Sequence, residues 1–161
     1  MRSTPRVSFP LVLAVIAASF GCSDATAVPD CTADMGAEVC AVFQLVNQER
    51  VSRGLAPYGW SSELAVASQR HAEDMVAQDY FSHTSLDGRE FGDRAVDANY
   101  DGSPRGENIA AGQQSAESVM DSWMNSPGHR NNILSTGSNE IGIGLHDFHW
   151  VQNFGFTEPT E

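Results

Sequence analysis

Apolar residues recur at helical spacing in three stretches of the chain, and each stretch is bounded by residues that start or stop a helix. Ser61 and Ser115 suit the N-cap position because a serine hydroxyl can accept a hydrogen bond from a free backbone N–H of the first turn. The predicted helices cover residues 39–54, 61–79 and 115–125. A shorter helical segment of one or two turns is predicted around residues 93–98.

The pattern changes to a two-residue period near the end of the chain, which is typical of β-strands. Ile141, Ile143 and Leu145 alternate with glycines, and a second apolar segment follows over 150–156. The short link between them predicts an antiparallel hairpin, and a face of glycines lets a helix approach the strand closely. Residues 106–110 predict one further short strand. Helices followed by a hairpin indicate an α+β fold, with helices packed over a small antiparallel sheet.

The first 22 residues have a different pattern from the rest of the chain. Two arginines lie near the start, an apolar run follows, and Gly21 precedes Cys22. At about 14 residues this run is too short to span a bilayer, and the pattern is typical of an export signal over residues 1–22. Residues 23–36 are polar and lack apolar periodicity, which predicts a flexible tether. The folded domain is therefore predicted over residues 37–158.

The position of Cys22 predicts a lipid anchor. A bacterial lipoprotein is cut before such a cysteine and acylated on it, although Ser19, Phe20 and Gly21 depart from the usual Leu-Ala-Gly sequence. Ordinary signal cleavage and secretion is the alternative. Both routes predict an exported protein, either a cell-envelope lipoprotein or a secreted extracellular one. Membrane contact is expected only through the N-terminal lipid.

The cysteine count supports this interpretation. An exported chain with three cysteines has one left over, and Cys22 is the natural odd one. Cys31 and Cys40 can then pair, and a disulfide that closes a loop of about ten residues contributes roughly 2–3 kcal/mol. This bond would tie the tether to the first helix.

The charge of the chain is strongly negative. The formal net charge is −12, all nine cationic side chains are arginines, and removal of Arg2 and Arg6 with the signal gives −12 − 2 = −14. A chain this acidic is repelled by phosphate backbones, which argues against nucleic-acid binding. The acidic surface suits cations, and we expect a monomer.

Candidate chemistry is concentrated in the stretch WMNSPGHRNNIL, residues 123–134. A helix is predicted to end near Asn125, and Pro127 and Gly128 break it immediately before His129. His83, which follows the second helix, and Glu107 are its predicted partners. Two imidazoles and a carboxylate from separate elements are what a small divalent-metal site or an acid/base site requires.

Five segments in order, FSHTS, GENIA, WMNSPGHRNNIL, EIGIGL and WVQNFG, resemble the CAP superfamily. This superfamily comprises cysteine-rich secretory proteins, antigen 5 and pathogenesis-related class-1 proteins, and the chain is most similar to its bacterial branch, the SCP-like extracellular proteins. The similarity covers about residues 39–156. The resemblance implies an α-β-α sandwich, with a central antiparallel sheet between helical layers and an open cleft.

The resemblance also implies a cation site in that cleft. Two His and two Glu can bind Zn²⁺ or another divalent cation in the family, and His83, Glu107 and His129 match three of these positions. Ser126 stands where the second Glu would be, so the site loses a negative charge. Three ligands and a water can still bind zinc, and Glu140 is a possible substitute for the missing carboxylate.

Three functional interpretations follow. The first is a non-catalytic binding module whose cleft recognises a lipid, peptide or glycan. The second is a hydrolase, such as a peptidase, in which His83 and His129 hold a metal or act as base and Glu107 orients or accepts a proton. Ser126 or Ser82 then serves as nucleophile or transition-state donor. The third is a hydrogen-bond network of His83, Glu107 and His129 that only pins three segments together. We favour the binding module, because function has to be argued from the site and not from the fold.

Overall fold

The computed structural model describes residues 27–33 and 35–159. The predicted export signal and Cys22 lie outside the described residues. The helices are α1 (Ala37–Ser52), α2 (Ser62–Ala77), α3 (Phe91–Asp97), α4 (Ala116–Asn125) and α5 (Pro127–Ile133). The strands are β1 (Gly59–Trp60), β2 (Ser103–Ala111), β3 (Glu140–His146) and β4 (His149–Phe156).

The four strands form one sheet in the order β1-β3-β4-β2. β3 and β4 are the predicted antiparallel hairpin, and β2 pairs antiparallel with the other side of β4. The sheet differs from the prediction at one edge, where the two residues of β1 pair parallel with β3. A two-residue strand has no hydrophobic period, so its sequence gives no signal.

One face of the sheet is covered by α2, which packs on β3 and β4. Gly142 and Gly144 make this contact possible. A methyl group added at Gly142 would overlap with the backbone of Leu64 and Ala65, and one at Gly144 would overlap with the backbone of α2. The predicted close approach of a helix to the glycine face is therefore confirmed.

The opposite face of the sheet carries the main hydrophobic core. Ile141 and Ile143 point away from the glycine face because side chains alternate along a strand. They pack in one cluster with residues of α1 and α4, including Phe43 and Trp123, both fully buried. Helices on both faces of the sheet confirm the expected α-β-α sandwich.

The helix starts and the disulfide agree with the sequence analysis. The hydroxyls of Ser61 and Ser115 accept hydrogen bonds from Leu64 N and Ser118 N, as N-caps do. Cys31 and Cys40 form the predicted disulfide, which joins the N-terminal segment to α1.

The stretch around His129 differs from the prediction. Pro127 does not only end a helix, because it is also the first residue of α5, so His129 lies in the first turn of a new helix. Proline suits this position since its fixed φ is helical and a first-turn N–H has no partner within the helix.

Candidate functional site

His83 lies in the segment that follows α2, and two buried side chains hold the backbone of this segment in place. His71 Nε2 is 3.0 Å from the Ser82 carbonyl oxygen. The Arg94 guanidinium donates from Nη2 to the His83 carbonyl oxygen at 2.9 Å. The imidazole of His83 itself is half exposed, with 52% of the side-chain surface accessible. The loop therefore presents His83 to solvent on a fixed backbone.

Glu107 lies on β2 with only 1% of its side-chain surface exposed, and both of its carboxylate oxygens have partners. Oε1 is 2.8 Å from Nδ1 of His83, and Oε2 accepts a hydrogen bond from Arg94 Nη2 at 2.6 Å. A buried carboxylate requires such pairing, because desolvation of an isolated charge is costly. Glu107 thus joins the His83 imidazole to the Arg94 guanidinium.

Arg94 is the residue of the site that the sequence analysis missed. It lies on α3 and is 5% exposed, and its guanidinium also donates to Ser85 Oγ at 3.1 Å and to the Arg89 carbonyl at 2.8 Å. The sequence did contain a signal, since an arginine in a helix this short faces either solvent or a buried acid. Nothing in its spacing indicated that the acid is Glu107.

His129 is held near this network through the backbone. Asn108, the neighbour of Glu107 on β2, donates to the His129 carbonyl oxygen at 3.1 Å. Asn132 on α5 donates to the Glu107 carbonyl at 3.2 Å and to the Asn108 side-chain oxygen at 2.9 Å. These amide contacts fix both ends of α5 against β2.

The two imidazoles have opposite electrostatic environments. The hydrogen bond that His83 donates to the Glu107 carboxylate raises the pKa of His83 above the ordinary value of 6.5. Burial and the nearby charge of His83 lower the pKa of His129. When one of the two imidazoles is protonated, the proton therefore resides on His83, and His129 stays neutral.

The structure thus brings His83 and Glu107 into direct contact and places His129 close enough for its pKa to depend on His83. Ser126 is the boundary residue between α4 and α5, and its side chain makes no capping hydrogen bond. Glu140 is engaged elsewhere, since its carboxylate accepts hydrogen bonds from Tyr100 and Thr157 at 2.9 and 2.6 Å.

The donor chemistry fits a divalent cation in part. Glu107 has an arginine cation 2.6 Å from one oxygen and an imidazole on the other, so it suits the orientation of His83 better than direct metal ligation. Within the described ranges, no group of three or more His, Cys, Asp or Glu side chains is arranged to hold a metal ion. The two imidazoles remain suitable ligands, and metal binding stays a prediction.

Comparison with known proteins places this arrangement in a family. The model of the cysteine-rich secretory protein family, CAP, matches residues 43–154. Two proteins of Bacillus subtilis are similar in sequence. YkwD, an uncharacterized protein, is 36% identical over 115 residues, which cover 70% of this chain and 45% of that protein. YlbC, an uncharacterized membrane protein, is 34% identical over 113 residues, which cover 70% of this chain and 33% of that protein.

A solved structure shows the same fold. An extracellular protein of Bacillus anthracis that contains an SCP domain is 33% identical, with a TM-score of 0.70 over 72% of this chain and 39% of that chain. The chain spans less than half the length of each of these relatives. None of the helices in residues 27–33 and 35–159 has the length and apolar character needed to cross a membrane. The chain therefore belongs to the cysteine-rich secretory protein (CAP) family, an SCP-domain family of extracellular proteins.

Proposed function

We propose that this chain is an exported, non-catalytic binding module, and that the cleft expected from the family resemblance, at His83 and His129, is its binding site. The proposed occupants are a divalent cation at the imidazoles and, beside it, a lipid, peptide or glycan ligand. The observation that carries the proposal is the state of Glu107, whose two oxygens are both engaged by His83 and Arg94.

A general base needs a carboxylate or imidazole that is free to take a proton from substrate or water. Glu107 is buried and both of its oxygens are engaged by His83 and Arg94, so the carboxylate is not free to accept a hydrogen bond from a substrate. Its effect on His83 is to keep Nδ1 engaged and to leave Nε2 as the ring nitrogen available for a ligand. This arrangement matches the carboxylate–histidine pairs that orient metal-binding imidazoles.

Among the described residues, neither proposed hydrolase nucleophile has a hydrogen bond to an activating base. A serine nucleophile requires a hydrogen bond to an imidazole or another base. In the part of the chain that the structure describes, no hydrogen bond joins the hydroxyl of Ser126 or Ser82 to His83 or His129. The Ser82 hydroxyl instead accepts a hydrogen bond from the backbone N–H of Thr84 at 3.1 Å. A binding role therefore has more support than a hydrolytic one.

His83 and His129 would hold a cation such as Zn²⁺, for which neutral imidazole is a suitable ligand, and the cation would supply a positive anchor for an anionic or carbonyl group of the ligand. The missing carboxylate at Ser126 lowers the negative charge of the site, which predicts weaker binding than at a structural zinc site. The negative net charge of the chain favours the approach of a cation.

Calorimetric titration of the purified full chain with ZnCl₂ tests this proposal. We expect one site, an affinity reduced at least tenfold by His83→Ala and by His129→Ala, and an unchanged affinity in His146→Ala. His146 is a matched control because it is an exposed imidazole at the end of β3. Equal zinc affinity in the wild type and both cleft variants would refute the assignment of these two imidazoles.

A turnover assay separates binding from catalysis. A library of peptide and ester substrates should give no turnover that depends on His129. Activity that His129→Ala removes and His146→Ala retains would overturn the non-catalytic role.

A further inference from the structure

An open cavity lies where the end of α2 meets the β3–β4 hairpin, with a volume of about 410 Å³. This volume is within the range of small-molecule sites, which is about 300–1,000 Å³. The segment at and after the end of α2 contributes Met75, Val76, Asp79 and Phe81 to the lining, and the hairpin contributes Asp147 and His149. We call it the hairpin cavity.

Two carboxylates of the lining have no cation to neutralise them. Asp79 follows α2, Asp147 lies in the turn between β3 and β4, and both residues are exposed. Neither side chain forms a hydrogen bond or an ion pair with another residue that the structure describes. The described lining holds no arginine, and the chain contains no lysine. A ligand that covers these carboxylates has to supply positive charge itself, because desolvation of an unpaired charge is costly.

Both aspartates occupy backbone positions that favour glycine. Asp79 has a φ of 54° in a Schellman-type helix end, in which the Tyr80 N–H donates to the Met75 carbonyl at 3.0 Å. Asp147 has a φ of 42° in the two-residue turn of the hairpin, where Asn-Gly is the usual sequence. Glycine or asparagine would suit both turns at least as well. Aspartate adds negative charge at both positions, and the turns themselves do not require that charge.

Phe81 gives the same cavity an aromatic wall. This residue is 52% exposed, and its ring meets the His149 imidazole edge to face, with the ring centroids 6.2 Å apart. Met75 and Val76 add apolar surface to the lining. The face of an aromatic ring attracts a cation through its negative quadrupole. Apolar surface suits the carbon atoms attached to an ammonium nitrogen.

We propose that the hairpin cavity binds an organic ammonium cation, with its nitrogen at the carboxylates of Asp79 and Asp147 and its alkyl groups against the ring of Phe81. A neutral ligand would leave both carboxylates unpaired, and an anion would be repelled by them. A bare metal ion would gain nothing from the apolar surface. The imidazoles of the cleft site do not line this cavity, so the proposal does not require that the cleft bind a cation or any other ligand.

The test is an NMR titration of the purified full chain, labelled with ¹⁵N-histidine, at constant pH and ionic strength. The probes are butylammonium chloride, choline chloride and 3,3-dimethyl-1-butanol, which is the uncharged analogue of choline. We expect saturable movement of the His149 ring resonances at millimolar cation, no movement with the alcohol, and no movement of His83 or His129. Stronger binding of butylammonium indicates a primary amine, and stronger binding of choline indicates a quaternary ammonium group; either result supports the proposal.

Three variants probe the cavity and retain its backbone. Asp79→Asn and Asp147→Asn each remove one charge, and asparagine tolerates positive φ as aspartate does. Each should weaken cation binding about threefold, as expected for loss of an exposed ion pair. Phe81→Leu keeps an apolar side chain but removes the ring, and should also weaken binding about threefold. Glu117→Gln, at an exposed carboxylate of α4, and Phe148→Leu, at a 46% exposed ring beside Asp147, are the matched controls outside the lining and should leave binding unchanged.

Three results would overturn the proposal. The first is a His149 resonance that neither cation moves. The second is equal binding of choline and its uncharged analogue, which means that charge is not recognised. The third is equal cation binding by Asp79→Asn, Asp147→Asn and Glu117→Gln, which places the cation elsewhere on the acidic surface. A failure of zinc binding in the cleft would not produce any of these results, so the two proposals fail separately.

Discussion

Glu107→Gln is the most informative single change at the site, since the two side chains have nearly the same shape. The carboxylate accepts from His83 Nδ1 at 2.8 Å and from Arg94 Nη2 at 2.6 Å. A glutamine amide has one acceptor oxygen, and its NH₂ group would face the second donor. The variant therefore loses one of the two bonds and leaves the guanidinium of Arg94, which is 5% exposed, without its buried counter-charge.

The expected loss of stability follows from the burial of this pair. Removal of one partner of a buried ion pair costs about 3–5 kcal/mol, because the remaining charge is left uncompensated. The hydrogen bond that the amide retains offsets about 1 kcal/mol of this loss. We therefore expect the free energy of unfolding to fall by about 2–4 kcal/mol.

Urea denaturation with the disulfide intact measures this loss. With a slope of about 2 kcal/mol per molar urea, the midpoint should fall by roughly 1–2 M. Asp97→Asn is the matched control, since it removes the carboxylate of an exposed pair with Arg89, at 3.0 Å with side chains 53% and 45% exposed. Such a pair contributes about 0–1 kcal/mol. Equal midpoints for the two variants would refute the claim that burial makes the Glu107 pair essential.

Three further predictions can be measured independently. In an NMR pH titration, the pKa of His83 should lie above 6.5 and that of His129 below it. His83 therefore stabilises the fold below pH 6.5, and this contribution is lost as the pH rises through its folded pKa, whereas the fold becomes less stable as His129 is forced to protonate below pH 6.5. An identical pKa for both would contradict the network. Gly144→Ala should cost about 3 kcal/mol or more because the new methyl group overlaps with the backbone of α2, whereas Gly137→Ala, with its nearest neighbour at 3.5 Å, should cost little. Cys22→Ala should release the exported protein from the membrane fraction, and a wild type that is already soluble would end the lipid-anchor proposal.

Much of the fold could be predicted because its elements carry strong local patterns. The serine N-caps, the 3.6-residue period of α1, α2 and α4, and the alternation of Ile141 and Ile143 with glycine are all local, and the structure confirms each of them. β1 was missed because two residues carry no period. α5 was missed because a proline is compatible both with the end of one helix and with the first position of the next.

The site could be predicted only in part, because its contacts join residues far apart in the chain. The sequence pattern and the family resemblance identified His83, Glu107 and His129, and the structure brings the first two into contact across 24 positions. It could not identify Arg94, whose role depends on the packing of α3 against β2. The sequence also could not reveal that both oxygens of Glu107 are paired. The contacts with His83 and Arg94, which favour an orienting role over metal ligation, join residues that are distant in the chain.

The most direct measurement of the central claim is a crystal structure of the chain soaked in ZnCl₂. We expect zinc bound by the imidazoles of His83 and His129, with Glu107 still hydrogen-bonded to His83 Nδ1 and Arg94. Zinc bound elsewhere on the chain, or His83 and His129 directed into separate regions, would contradict it.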